Sequence, residues 1–131
     1  MEHVVKLDAW FADKLGTLNC REDTRAYVSG VLSKFHPNKD SLTNDSIVLA
    51  FNDAKLCGDF VAFQRIGDYV LWADSVFPEH TAKNKELVVL LGRLSYYRCH
   101  HIMKKQWLVF EELADDLPRI ILDIRSQIYS R

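Results

Sequence analysis

The sequence predicts an all-α fold, a compact bundle of six or seven helices within a single helical domain spanning 1–131. Three observations carry this reading. Apolar residues recur at helical spacing along nearly the whole chain. The strongest breaks, at Gly16, Pro37, Gly58–Asp59 and Phe77–Pro78, separate the periodic segments from one another. No segment alternates polar and apolar residues as a half-buried strand would, and there is no internal repeat or low-complexity tract. A chain of 131 residues with 48% hydrophobic and 27% charged side chains is long enough to bury one core.

The elements follow in order. Val4, Leu7, Phe11, Leu15 and Leu18 form a first stripe, stopped near Gly16. Asn19 and Glu22 have capping-box spacing and open a second helix with Thr24, Val28, Val31 and Phe35 on one face. Pro37 disfavours helix in the residue before it and ends that element. Thr43 or Asn44 caps a third helix carrying Ile47, Ala50, Phe51, Ala54 and Cys57. Gly58 and Asp59 form a junction, with Asp59 placed to serve the first amides of the next helix. That fourth helix, about 59–77, has the stripe Phe63, Ile66, Val70, Ala73 and Phe77. A fifth, about 83–103, follows the Pro78 corner with Leu87, Leu90, Leu94, Tyr97 and His101 in line. The last stretch aligns Trp107, Phe110, Ala114, Leu117, Ile121, Ile124 and Ile128, with Pro118 starting a new helix or kinking the old one.

The fourth helix is apolar over close to half its circumference, because Ala62, Tyr69, Trp72 and Val76 widen its stripe. Such a helix is sandwiched between neighbours or lends one side to a partner. Asp68 falls with Gln64 and Ser75 on its most polar face, and Asp74 falls at the edge of the core stripe. On the fifth helix Val88, Gly92, Ser95 and Cys99 form a lane of small residues that admits a close neighbour. Arg98 and His101 fall within its larger apolar face, and a charge buried there requires a partner. The short corner makes these two helices antiparallel neighbours, so an Arg–Asp seam between them is expected, fixing their register.

Composition and motifs exclude several function classes. With 17 basic and 18 acidic residues the net charge is −1, which disfavours nucleic acid as a partner. The basic pair in "MKKQW" is only local, and "FADKLGTLNCREDTRAYVSG" offers few base-reading side chains for a helix-turn-helix. Cys20, Cys57 and Cys99 are odd in number and widely spaced, as expected for reduced thiols in a cytoplasm. The N-terminal residues lack the pattern of a signal peptide, and no apolar run is long enough to span a bilayer, so no membrane partner is expected. Adjacent side chains in "CHH", 99–101, point about 100° apart on a helix and cannot chelate one ion together. Cys99 lacks an activating base, and glycine-rich phosphate loops and Glu-x-x-His pairs are absent. No catalytic residue, metal or cofactor is assigned.

"FQRIGDYVLWADSVFPEH", "LVVLLGRLSYYRCHH" and "VFEELADDLPRIILDI" resemble an uncharacterised family of small bacterial all-helical proteins. Its pattern has an Arg-x-x-Gly-Asp helix ending in Phe-Pro-Glu, a Tyr-rich helix and a Phe-x-Glu-Leu-Ala helix; "TRAYVSGVLSKF" resembles its earlier Arg-x-Tyr helix. The likeness covers about 24–125. Ala73-Asp74-Ser75 departs from it by placing a charge where a small residue is usual. The resemblance implies an all-α fold and a bacterial origin, and it transfers no functional residue.

The residues therefore point to a non-enzymatic binding or interaction protein of a bacterial cytoplasm. The expected partner is a second copy of the chain, with Tyr69, Trp72 and Trp107 at the interface, or another protein or small molecule. The alternative is a small-ligand sensor or enzyme with a polar pocket between the helices at about 59–77 and 83–103, lined by Arg65, Asp68, Arg93, Tyr96 and His101.

Overall fold

The computed structural model describes residues 9–34, 46–80, 82–103 and 108–129. Among these it is all-helical: α1 (9–14), α2 (Glu22–Lys34), α3 (Ile47–Cys57), α4 (Phe60–Val76), α5 (Lys85–Ile102) and α6 (Leu108–Ile128). Two short 3₁₀ turns, Pro78–His80 and Ala82–Asn84, make the corner between α4 and α5. The predicted caps Thr43 and Asn44, and Trp107, lie outside the described residues; Ser46 stands in the cap position of α3, and its side chain makes no capping hydrogen bond to the helix. Asn19 is not the cap of α2, which starts only at Glu22. Its amide instead meets Asp123 Oδ2 at 3.1 Å, and its carbonyl accepts from Arg119 at 2.8 Å.

The α3–α4 junction behaves as its residues require. Gly58 takes φ +64°, a left-handed conformation that suits glycine, and its amide closes on the Ala54 carbonyl at 2.8 Å. Asp59 then caps α4, its carboxylate accepting from the Val61 amide at 3.0 Å.

Helix α4 is the centre of the bundle and packs against α2, α3, α5 and α6. Phe63, Ile66, Val70 and Ala73 are buried as their stripe predicts, and Asp74 and Ser75 are buried with them. Phe77 falls just past the helix end and is partly exposed against the Trp72 ring, with centroids 5.1 Å apart.

The small-residue lane of α5 is what faces α4. Val88, Gly92, Ser95 and Cys99 are buried, and a Cβ added at Gly92 would lie 2.8 Å from Val70 Cβ. Gly67 supplies the matching gap on α4: a Cβ there would lie 2.7 Å from Tyr96 Cε1. Two glycines thus let the backbones approach, and the leucine stripe of α5 turns outward as a result.

Helix α6 closes the bundle with Phe110, Leu113, Leu117, Ile120, Ile121 and Ile124 buried. It continues through Pro118, which cannot donate to the carbonyl of Ala114 four residues earlier. Arg93 on α5 occupies that acceptor: its Nε donates to the Ala114 carbonyl at 2.8 Å, and Nη2 reaches the Asp115 carbonyl at 3.4 Å. A side chain from a neighbouring helix repairs the gap left by the proline.

Candidate functional site

The expected Arg–Asp seam is instead a tyrosine–aspartate cluster. Asp68 leaves α4 one residue after Gly67, and the Tyr96 ring lies across that glycine. Tyr96 Oη donates to Asp68 Oδ1 at 2.7 Å, and Tyr27 Oη, arriving from α2, donates to the same oxygen at 2.7 Å. Gln64, one turn before Asp68, donates from Nε2 to Tyr27 Oη at 3.0 Å. Phe110 backs the cluster, stacked on Tyr96 with centroids 5.9 Å apart and edge-on to Tyr27 at 5.5 Å. Arg93 is committed to α6 and Arg98 is exposed, so neither guanidinium meets Asp68.

Burial pushes the Asp68 carboxyl up to about 6, against the pull of its two hydroxyl donors. Burial, reinforced by the Asp68 charge, also drives the Tyr27 and Tyr96 hydroxyls well above their ordinary value, so both remain donors. The Cys99 thiol is pushed up to about 12, first by burial and then by Asp68, and stays protonated rather than nucleophilic. The cluster therefore concentrates one negative charge on one carboxylate.

An open groove of about 320 Å³ runs beside this carboxylate between α2 and α4, lined by Ala26, Tyr27, Gly30, Val31, Lys34, Gln64 and Asp68. It is not the expected pocket between α4 and α5, where the Tyr96 ring lies directly against Gly67. Of Arg65, Asp68, Arg93, Tyr96 and His101, only Asp68 and Tyr96 come together, and Tyr96 is wholly buried behind the acid. Arg65 is exposed. His101 sits on the outer face of α5 against the Tyr97 ring, with centroids 4.5 Å apart. His100 is buried between α5 and α6, with Nε2 3.4 Å from Glu111 Oε2. No imidazole among the described residues converges with Asp68, so the Asp68 cluster pairs its carboxylate with hydroxyls and not with an imidazole.

Sequence reasoning missed Tyr27, although it lies three residues after Thr24 and four before Val31, on the face assigned to the core. Its role emerges only once α2 packs on α4.

The second candidate is a surface. Leu87, Leu90, Leu94 and Tyr97 are 46%, 48%, 39% and 50% exposed, and with His101 they form one line along the outside of α5. This line is the stripe the periodicity assigns to the core. A groove of about 520 Å³ runs along it, lined by Phe51 and Lys55 of α3 and by Leu94, Tyr97, Arg98 and His101. Of the expected interface residues, Tyr69 is 5% exposed and belongs to the core instead, excluded from the surface by the neighbours of α4. Trp72 is half-buried beside Tyr69 and Phe77.

No protein-family model, curated protein or solved structure matches the chain.

Proposed function

We propose that this protein acts by binding rather than by catalysis, and that the outer face of α5 pairs with the same face of a second copy. The observation that carries the reading is the exposed line Leu87, Leu90, Leu94, Tyr97 on one side of a single helix. Together with His101 it offers roughly 400 Å² of surface, within the range of the largest apolar patch on a typical monomer, which is often functional. A stable dimer buries about 800 Å² on each partner, and the adjoining groove walls Phe51, Lys55 and the exposed Val48 extend the face toward that value.

Self-pairing suits the pattern. The line runs from residue 87 to 101, centred on Leu94, so an antiparallel twofold brings Leu94 of one copy against Leu94 of the other. The leucine end of each helix then meets the aromatic end of its mate. The central positions carry no fixed charge to repel a copy, and Glu86 and Arg98 on the flanks are of opposite sign. Among the described residues no helix is long and apolar enough to cross a membrane. The unpaired thiols of Cys20, Cys57 and Cys99 support a reducing compartment such as the cytoplasm.

The test is sedimentation velocity across a concentration series, comparing the parent chain with Leu94→Glu. The parent chain is expected to be dimeric in the micromolar range and the variant monomeric with an unchanged circular dichroism spectrum, since Leu94 is not a core residue. A parent chain that stays monomeric at several hundred micromolar refutes the proposal.

A further inference from the structure

The α2–α4 groove lies away from the α5 surface and has chemistry of its own. Both tyrosine hydroxyls converge on Asp68 Oδ1, so the carboxylate is held in one orientation. Among the described residues Oδ2 accepts no hydrogen bond, nor is it one of the fully enclosed unpartnered polar atoms, which are Thr24 Oγ1, Ser75 Oγ, Ser95 Oγ and His100 Nδ1. Oδ2 is therefore reachable from the groove that Asp68 lines. A carboxylate drawn this far out of water and left, among the described residues, with one oxygen lacking a donor presents an unmet demand for positive charge.

We propose that this groove binds a small organic ammonium ion, with Asp68 Oδ2 as its counter-ion. The walls fit that ligand. The Tyr27 ring supplies an aromatic surface with affinity for cations, Ala26, Gly30 and Val31 supply apolar contact for a short alkyl group, and Gln64 Oε1 is a further acceptor beside the acid. Lys34 lines the same groove, yet makes no ion pair with Asp68 among the described residues, so the protein's own cation does not occupy the place. The volume of about 320 Å³ admits a molecule of a few heavy atoms and lies at the small end of ligand pockets.

Among the described residues the titratable groups facing Asp68 are Tyr27 and Lys34 from α2 and Tyr96 and Cys99 from α5. Tyr27, Tyr96 and Cys99 all keep their protons through neutral pH, so ionisation of Asp68 governs the site's charge near pH 6. Ammonium binding is then expected to strengthen as pH rises through that value.

The experiment is an NMR titration of the full chain with n-butylammonium chloride, with n-butanol and sodium butyrate as neutral and anionic probes of similar shape. Saturable shifts confined to Tyr27, Gln64, Asp68 and neighbouring amides are expected for the ammonium alone, in the millimolar range and weakening about tenfold from about pH 7.5 to about pH 5. Asp68→Asn, close to isosteric, is expected to weaken binding by at least about tenfold, the loss of one charge pair. Equal binding of butanol, or no saturable shift at about 50 mM ammonium, overturns the proposal on the parent chain, whether or not the variant folds. Binding that is retained by Asp68→Asn, or independent of pH, overturns it too. Leu94→Glu is expected to leave the titration unchanged, which separates this site from the dimer face.

Discussion

Replacing Asp68 with Asn removes a buried charge while keeping the oxygen on which Tyr27 and Tyr96 both converge. The sign of the effect follows from the raised carboxyl. Between its ordinary value of 3.8 and about 6, the folded chain holds a proton on Asp68 that the unfolded chain has released. Stability from this group is therefore fully present below 3.8 and is lost as pH rises through about 6. A gap of about two pH units at ~1.4 kcal/mol each comes to about 3 kcal/mol. Asn mimics the protonated acid, so Asp68→Asn is expected to match the parent near pH 4 and to exceed it in stability by up to about 3 kcal/mol at pH 8. Urea denaturation of both chains at half-unit steps from pH 4 to 8 measures the difference directly, and subtraction cancels the other acids. A variant less stable than the parent at pH 8, or a difference that does not vary with pH, would refute the assignment of burial as the dominant influence on Asp68.

Two further perturbations test the packing. Gly92→Ala drives a Cβ to 2.8 Å from Val70 Cβ, an atom too close to its own backbone to swing away. Overpacking of about 1–3 kcal/mol is offset by about 1 kcal/mol of helix propensity, leaving a net loss of about 1–2 kcal/mol in a thermal melt; a stabilised variant would contradict the close α4–α5 approach. Arg93→Met strands the Ala114 carbonyl and is expected to cost about 1–2 kcal/mol. In a Pro118→Ala background the restored amide serves that carbonyl and the cost should shrink, so equal costs in both backgrounds of the double-mutant cycle would exclude the repair role of Arg93.

The all-helical class and the α3–α4 junction were legible because they rest on local physics. Period, a cap at Asp59 and a glycine at the left-handed Gly58 position act within a few residues of one another. Asp68 and Gln64 share a face of α4 as their spacing predicts, whereas Ser75, assigned to the same polar face, is buried. The partners of Asp68 were not legible, because Tyr27 is separated from it by 41 residues and only the packing of α2 on α4 brings them together. The same holds for Arg93, whose acceptor exists only because Pro118, on a different helix, cannot use it.

By itself the sequence determined where helices form, where they stop and which residues compete for burial. On α5 it offered two apolar arcs, the large line Leu87–Leu90–Leu94–Tyr97 and the small lane Val88–Gly92–Ser95–Cys99, and periodicity alone favoured the larger. Tertiary structure reversed that order. Gly67 and Gly92 let α4 and α5 approach until Tyr96 and Val70 fill the gaps. Dispersion attraction is greatest at that short separation, and backbones so close leave room between them for the small lane and for the Tyr96 ring over Gly67, not for the leucine line. Only one arc of a helix can meet a given neighbour, so the leucines were left on the surface, and the candidate interface with them.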